Sequence, residues 1–401
     1  MTRCALLLVA CLAVPVGARD TSLQARVDAG VLRGVEFLKK GFDKRKGWGG
    51  ASGTGVYGNV GTAYPYAAGP TALCCYALLK AGVPANDRTI QSAFTFLRTK
   101  HRTPGVAYEL SIMLVAVAER AGAKSSPDYR TPRLRENRST HRYRPPKGSP
   151  IAKREWTWMV DLTQKLLHFQ SKSGGWRYYP KDFHSGGRAD VSSTQFALLA
   201  LSTASRCGYD VPMDVFRRAR GFLLSQQASD GPRVPRAIHV PGTADGTLDR
   251  ARGFPYIGGS KVSSYQRVSG GMTAAGVASL LFLKGELKHL GEDQELDQAI
   301  LDGFAWIGRY FTVHVNPGYF PFSLGSYRHL WLYAVERAGS LAKREIVGGR
   351  SWFSEGSRFF LGLQREDGAI PDPTCMSPKD VLGTATALLF LTRATKPVSG
   401  G

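Results

Sequence analysis

The sequence predicts an all-α fold, an α6/α6 toroid with two concentric rings of six helices and Gly- and aromatic-rich loops on one rim. Helix-like segments of two kinds alternate along the chain, one kind amphipathic and the other apolar nearly all round. A helix without a polar face must be covered by other helices, so the apolar set forms the inner ring. The first and last pairs are no more polar than the middle ones. This favours a closed ring over an open solenoid, whose ends need polar caps.

Each amphipathic segment has an apolar pair near its C-terminal end and Lys, Arg, Asp or Gln on its other face. The stretch RTIQSAFTFLRTK, from Arg88, is typical. Because one face of each segment is polar, these six helices belong to the outer ring. The apolar pairs are Phe37-Leu38, Phe96-Leu97, Leu166-Leu167, Phe222-Leu223, Trp306-Ile307 and Phe360-Leu361.

The second set comprises TALCCYALLKAG, YELSIMLVAVAERAG, STQFALLALSTASRCG, TAAGVASLLFLKG, YRHLWLYAVERAG and TATALLFLTRAT. Five of these six segments end in glycine, which adopts the left-handed conformation that commonly closes a helix. We therefore expect the inner helices to end at Gly82, Gly122, Gly208, Gly285 and Gly339.

The loops differ between the two rims. Connections from an amphipathic to an apolar segment are mostly long and rich in Gly, Trp and Tyr, and the longest covers 228–270. Function tends to lie on loops that a rigid scaffold holds, so this rim is the predicted working mouth. The opposite connections are short except for 123–154, a basic, Pro-rich insertion that we expect to be solvated and partly disordered. It is either simply solvated or a docking segment for an anionic surface.

The N-terminus has the pattern of a secretory signal, with Arg3, an apolar run from Cys4 to Val16 and small residues up to Ala18. We expect 1–18 to be a signal peptide and 19–401 to be a single α/α-toroid domain. The protein would then be exported, to the periplasm or the extracellular space, without a transmembrane span after signal cleavage. Lipoprotein anchoring at Cys11 is an alternative.

The composition is strongly basic, with 53 Lys and Arg, 31 Asp and Glu and a net charge of +22. This charge favours anionic partners such as a cell-envelope surface, although solubility alone also accounts for it. We do not expect nucleic acid as a partner. Four cysteines follow the signal, without a CxxC pair, so the sequence suggests neither a structural zinc site nor a disulfide scaffold. They are Cys74, Cys75, Cys207 and Cys375.

One loop carries the motif Gln170-Ser-Lys-Ser-Gly174-Gly-Trp176. It resembles the QW motif of squalene-hopene cyclases and, more widely, of the prenyltransferase and squalene-oxidase repeat proteins, the terpenoid cyclase and protein prenyltransferase toroids. Weaker copies begin at Phe222 and Phe360, with the Trp replaced. The resemblance implies the toroid, and it implies that Gln170, Gly174 and Trp176 are structural residues that tie neighbouring repeats together.

The catalytic groups of these enzymes are not matched. Class II terpene cyclases carry a DxDDT motif whose middle Asp donates a proton. The corresponding stretch here is Asp190-Val-Ser-Ser-Thr194, with Ser192 at the donor position, and a serine hydroxyl cannot protonate an alkene. Asp372 and Cys375 lie one residue too far apart for the zinc-binding DxC of protein prenyltransferases, and no histidine follows them. We therefore expect no metal and no cofactor.

Three carboxylates near the starts of apolar segments are weak catalytic candidates: Asp190, Glu109 and Asp380. Asp190 and Asp380 both begin the pattern D-V-x-x-T-x-x-A-L-L, at the distance of a helix N-cap, and capping explains both without chemistry. A pair of carboxylates across the cavity, as in toroidal glycosidases, is the alternative.

Further residues near the predicted mouth are candidates for ligand binding. They are Tyr66, Tyr108, Gln195, Tyr256, Tyr265, Met272, Tyr327, His329 and Trp331. An aromatic lining suits a hydrophobic, isoprenoid-like ligand or a glycan, and it equally suits a filled core. Two functions stay open. One is a non-catalytic binding or scaffold protein of the cell envelope, and the other is a terpene-cyclase-like, or other isoprenoid- or glycan-acting, enzyme that uses a non-family carboxylate.

Overall fold

A computed structural model describes residues 21–49, 68–122, 145–179, 188–244, 246–258, 267–318, 326–375 and 379–395. The expected signal peptide, Cys11, most of the basic insertion, Tyr66 and Tyr265 lie outside these ranges.

Twelve helices make up the two rings in the described part of the chain. The outer helices are α1 (Thr21–Lys40), α3 (Arg88–Lys100), α5 (Lys153–His168), α7 (Met213–Gln226), α9 (Gln294–Tyr310) and α11 (Trp352–Leu363). The inner helices are α2 (Ala68–Lys80), α4 (Ala107–Arg120), α6 (Val191–Arg206), α8 (Gly270–Leu287), α10 (Arg328–Leu341) and α12 (Lys379–Leu391). The inner helices are buried on nearly every side, whereas the outer ones expose their charged faces.

Short antiparallel strand pairs lie in the connections between helices. They are β1 (Arg233–Pro235) with β2 (Leu248–Arg250), β3 (Phe254–Pro255) with β4 (Val268–Ser269), and β5 (Ile346–Val347) with β6 (Arg350–Ser351). A short 3-10 turn, Lys288–Leu290, follows α8. The first two pairs hold the long mouth loop against α8 and α9.

The ring is closed. Each inner helix packs against the next in the order α2, α4, α6, α8, α10, α12, and α12 packs against α2. The outer helix α1 packs against both α11 and α12, so the two ends of the chain meet. The all-α toroid is confirmed, and the open solenoid is excluded. Within the described ranges, no helix combines the length and the apolar character that a bilayer crossing requires.

Glutamine side chains tie successive outer helices together. Gln170 Nε2 donates to the carbonyls of Gly174, at 2.7 Å, and of Val215 in α7, at 2.9 Å. Gln364 Nε2 donates to the carbonyl of Gly30 in α1, at 2.9 Å, across the closure of the ring. Trp176 is fully buried, and its indole Nε1 donates to Leu166 O at 2.8 Å. Gln170, just after α5, thus bonds to the next outer helix, and Trp176 bonds back to α5.

The predicted helix ends are correct for the first half of the ring only. Gly285 and Gly339 lie inside α8 and α10, so that prediction is wrong for both. A Cβ on Gly339 would lie 2.5 Å from Trp352 Nε1, which shows that this glycine serves close packing of α10 on α11. The left-handed glycines that do follow inner helices are Gly82, Gly122 and Gly208, with φ of 92°, 88° and 96°.

Candidate functional site

Three tyrosines meet where α4 and α6 begin, and we call Tyr108, Tyr178 and Tyr256 the tyrosine cluster. The hydroxyls of Tyr178 and Tyr256 are hydrogen bonded at 2.7 Å, and the rings of Tyr108 and Tyr178 lie 5.3 Å apart. All three side chains are half-buried. Burial raises the pKa of Tyr108 and of Tyr256 far above the usual value, because the phenolate would be poorly solvated. Tyr108 and Tyr256 therefore offer neutral hydroxyls, and all three residues offer ring faces.

Backbone hydrogen bonds fix the cluster to the inner ring. The carbonyl of Tyr178 accepts from Ala107 N, the first residue of α4, at 3.0 Å. The carbonyl of Tyr256 accepts from Val191 N, the first residue of α6, at 3.0 Å. Both carbonyls thus satisfy helix N-terminal N–H groups that lack a partner within their own helix. The long loop 228–270 therefore contributes Tyr256 from a fixed position.

Tyr178 is the member of the cluster that the sequence interpretation missed. It follows Trp176 and Arg177, so the QW motif itself places it at the mouth. Arg177 lies over the rings of Tyr178 and Tyr256, with its guanidinium carbon 5.1 and 5.8 Å from their centroids. The same guanidinium pairs with Asp190, at 2.9 Å. A cation over two aromatic faces and next to a carboxylate links the cluster to Asp190.

Asp190 is the N-cap of α6 and is completely buried. Its carboxylate accepts from the backbone N–H of Ser193, at 2.5 Å, from the hydroxyl of Ser193, at 3.0 Å, and from Arg177. Burial nonetheless raises the pKa of Asp190, because the loss of solvent outweighs these donors. The predicted capping role of Asp190 is confirmed. Ser192, in the position of the cyclase acid, accepts a hydrogen bond from the hydroxyl of Tyr108.

Glu109 and Asp380 are held in different ways. Glu109 lies in the first turn of α4 and accepts from Gly69 N, at 2.9 Å, so it caps the neighbouring helix α2. Burial raises the pKa of Glu109. Asp380 is not an N-cap, and that prediction is wrong. It lies inside the first turn of α12, is 40% exposed, and pairs with Arg365 at 2.7 Å.

On the other side of the ring, His329 is buried between α10, α11 and α12. Its Nδ1 lies 3.2 Å from Gly383 O, and its ring meets Phe360 edge-on at 4.8 Å. Burial lowers the pKa of His329 to about 4, so the imidazole is neutral at neutral pH. Its backbone N–H donates to Asp372, which also accepts from the hydroxyl of Thr374. The structure therefore places His329 in packing between the rings.

The remaining candidates on this side of the ring have contacts other than the tyrosine cluster. Trp331 is fully buried, and its Nε1 donates to Thr312 O at 2.9 Å. Met272 is buried in the first turn of α8. Tyr327 precedes α10 with φ of 49°, a left-handed conformation that is unusual for a bulky residue. The structure thus brings together Tyr108, Tyr256 and Asp190, and it does not join His329 or Trp331 to them.

Gln195 lies one turn into α6, and its Oε1 accepts a hydrogen bond from Arg337 in α10. The helix α8 packs between α6 and α10, so this bond crosses the interior of the ring. Phe196 connects the tyrosine cluster at the mouth with Arg337 inside the ring. Its ring lies 5.2 Å from that of Tyr108 and 5.3 Å from the guanidinium carbon of Arg337. The aromatic surface therefore continues from the mouth to the centre of the toroid.

Comparisons with known proteins give the fold. No family model matches the chain, and no curated protein matches its sequence. A variant of the type II terpene cyclase MstE from Scytonema, in complex with geranylgeranyl dihydroxybenzoate, matches with a TM-score of 0.51 at 12% identity, over 93% of this chain and 98% of that one. An inactive family 76 α-1,6-mannanase of Salegentibacter, in complex with α-1,6-mannotriose, matches with a TM-score of 0.52 at 10% identity, over 92% and 98%. The chain therefore has the α/α toroid fold that terpene cyclases and family 76 mannanases share.

Proposed function

We propose that the protein is a non-catalytic binding or scaffold protein of the cell envelope whose ligand contacts the tyrosine cluster. The supporting observation is that the carboxylates at the starts of inner helices have structural partners. Asp190 has no exposed surface and accepts from three donors, and Glu109 caps α2. An acid catalyst must lie within hydrogen-bond reach of the atom that it protonates. A buried capping carboxylate does not meet this requirement.

The cluster itself suits a ligand with an extended apolar or ring-like surface. Tyrosine faces bind apolar chains and the flat faces of sugar rings, while their hydroxyls add directional hydrogen bonds. Arg177 over two of the rings adds a positive charge at the same place. We therefore propose an isoprenoid-like or a glycan ligand, the two classes present in the solved toroids named above.

Calorimetric measurement of the binding of geranylgeraniol and of α-1,6-mannotriose tests the proposal. Each probe is titrated into wild type, Tyr178→Ala and Tyr209→Ala. Tyr209 lies after α6 at the opposite rim and is the matched control. We expect one of the two probes to bind, and Tyr178→Ala to weaken it about tenfold, the effect of removing an aromatic contact. Tyr209→Ala should bind like wild type. Absence of binding by both probes, or equal binding by all three proteins, would contradict the proposed ligand site.

A second function has one observation in its favour. Asp190 is a carboxyl group with a raised pKa beside an aromatic cluster, the environment in which enzymes keep an acid protonated. The same incubations, analysed by mass spectrometry for a converted probe, separate the two functions. A product formed by wild type and by Asp380→Asn, but not by Asp190→Asn, would assign an enzyme and overturn the non-catalytic proposal.

Export and surface docking belong to the same proposal. Secretion with cleavage after Ala18 predicts a mature protein that begins at Arg19, which intact-mass measurement of the exported form checks. A lipidated N-terminus at Cys11 would replace simple export. For the insertion 123–154 we propose docking on anionic envelope surface. Binding to anionic but not neutral vesicles, weakened by added salt, is the expected result. Salt-insensitive or absent binding would contradict docking.

A further inference from the structure

A buried arginine lies in the inner ring, and most of its donors have no partner among the described residues. Arg337 is 1% exposed and Gln195 is 1% exposed, and Arg337 Nη2 donates to Gln195 Oε1. Arg337 lies nine residues into α10, about 14 Å along the helix, and long helical side chains point back towards the N-terminus. Its guanidinium therefore reaches towards the mouth.

The two side chains leave a set of buried donors without acceptors. Arg337 Nε and Nη1 and Gln195 Nε2 have no hydrogen-bond partner among the described residues. All three groups are N–H groups and can only donate. The amide oxygen of Gln195 already accepts from Arg337. A buried donor without a partner is costly, so convergent donors of this kind predict an acceptor between them.

In the described part of the chain, no carboxylate forms a direct ion pair with Arg337. Its charge acts at longer range on the neighbouring Glu336. The adjacent Glu336 turns to the C-terminal end instead, where its carboxylate accepts from the backbone N–H and the hydroxyl of Thr395.

Two aromatic rings lie close to the guanidinium of Arg337. The guanidinium carbon lies 4.7 Å from the ring centroid of Tyr333 and 5.3 Å from that of Phe196. Beside these cation–π contacts, Arg337 Nε and Nη1 stay without a hydrogen-bond acceptor among the described residues. A buried water would satisfy one or two donors but would not balance the charge. An oxyanion would do both, and arginine is the side chain best matched to carboxylate and phosphate oxygens.

We propose that Arg337 and Gln195 form a binding subsite for an oxyanion, a carboxylate or phosphate group, inside the inner ring. The group is either a free anion or the head of a larger ligand whose body lies on Phe196 and the tyrosine cluster. In the second case the ligand of the mouth is an acidic amphiphile, a refinement that rests on the proposed function. The oxyanion subsite itself does not depend on it.

Thermal unfolding in phosphate and in chloride at equal ionic strength tests the subsite, with wild type, Gln195→Glu, Arg337→Met and the exposed control Arg26→Met. We expect saturating phosphate to raise the Tm of wild type and of Arg26→Met by about 3 °C. Gln195→Glu supplies a carboxylate of the chain's own, so it should have a higher Tm in chloride and no phosphate response. Arg337→Met should also lose the response. If Arg337→Met fails to fold, Gln195→Glu decides alone.

The source of the oxyanion is identified by comparing how tightly the protein binds farnesyl phosphate, inorganic phosphate and farnesol. Tighter binding of farnesyl phosphate than of the other two, lost in Tyr178→Ala, identifies the head of a mouth ligand. A response to inorganic phosphate alone, unchanged in Tyr178→Ala, identifies a free anion and leaves the subsite standing even if the mouth binds nothing. Equal phosphate responses of wild type and Gln195→Glu, or no response of wild type with no anion adduct in its native mass spectrum, would overturn the proposal.

Discussion

The repeat formed by α5 and α6 and the repeat formed by α11 and α12 share two kinds of hydrogen bond, which we call the frame. In both, a glutamine amide binds a carbonyl of the next outer helix, Gln170 on α7 and Gln364 on α1. In both, a threonine hydroxyl near the N-terminus of the inner helix accepts from a loop N–H at 2.9 Å, Thr194 from Trp176 and Thr384 from Ile370. The frame is therefore repeated even where the sequence motif is incomplete.

The two repeats differ at the acid that begins their common pattern. Trp176 and Asp190 form an antiparallel bridge, which holds Asp190 outside α6 as a buried cap. In the last repeat the helix starts at Lys379, so Asp380 falls within the first turn and faces Arg365 in solvent. Arg177 and the tyrosine cluster lie beside the buried acid. The equal spacing in the sequence thus specifies the threonine hydrogen bonds. Whether Asp190 or Asp380 is buried depends on the loop that precedes the inner helix.

The largest expected effect is the difference between Asp190→Ala and Asp380→Ala. Removing Asp190 leaves Arg177 without its carboxylate and the N-terminus of α6 without its cap, so we expect a loss of about 3 kcal/mol in the free energy of unfolding. Asp380 loses an exposed ion pair, and we expect a change of less than about 1 kcal/mol. Urea denaturation of both variants measures the difference. Similar losses for the two would show that the acids are equivalent after all.

A second, smaller effect should be equal in the two repeats. Thr194→Val and Thr384→Val keep the side-chain shape but remove the hydroxyl, which leaves the N–H of Trp176 or Ile370 without its acceptor. We expect each variant to lose about 2 kcal/mol, the cost of a buried unsatisfied backbone group. The same denaturation assay compares them. A loss confined to one repeat would mean that the frame is not shared.

The toroid was predictable from the sequence because helical periodicity is a local signal. The bracing role of Gln170 was implied by the resemblance of its motif to the QW motif. The failed predictions depend on features that these signals do not carry. Gly339 packs against Trp352 of the neighbouring helix α11, and the position of Asp380 depends on where α12 begins. The contact of Gln195 with Arg337 joins positions 142 residues apart. No sequence pattern indicates such a contact, since it arises only when the ring closes.

The buried acid should also show itself in the pH dependence of stability. The pKa of Asp190 is raised above its ordinary value of 3.8, because burial outweighs Arg177 and the Ser193 donors. The folded state then holds the proton more tightly than the unfolded state. The stability that this group contributes is fully present below the unfolded pKa and is lost as pH rises through the folded one. Since Asp190→Asn removes the titration, its destabilisation should be larger near about pH 4 than near about pH 7.

Denaturation of Asp190→Asn across that pH range, with Asp380→Asn as the exposed control, measures this smallest effect. A destabilisation that instead grows with pH would mean that the attraction of Arg177 outweighs burial and that Asp190 is ionised in the folded protein. That outcome would make Asp190 a permanently charged cap and would remove the one observation that favours acid catalysis. The expected outcome keeps a protonatable carboxyl beside the tyrosine cluster, and then only the product assay separates the buried cap from a catalytic acid.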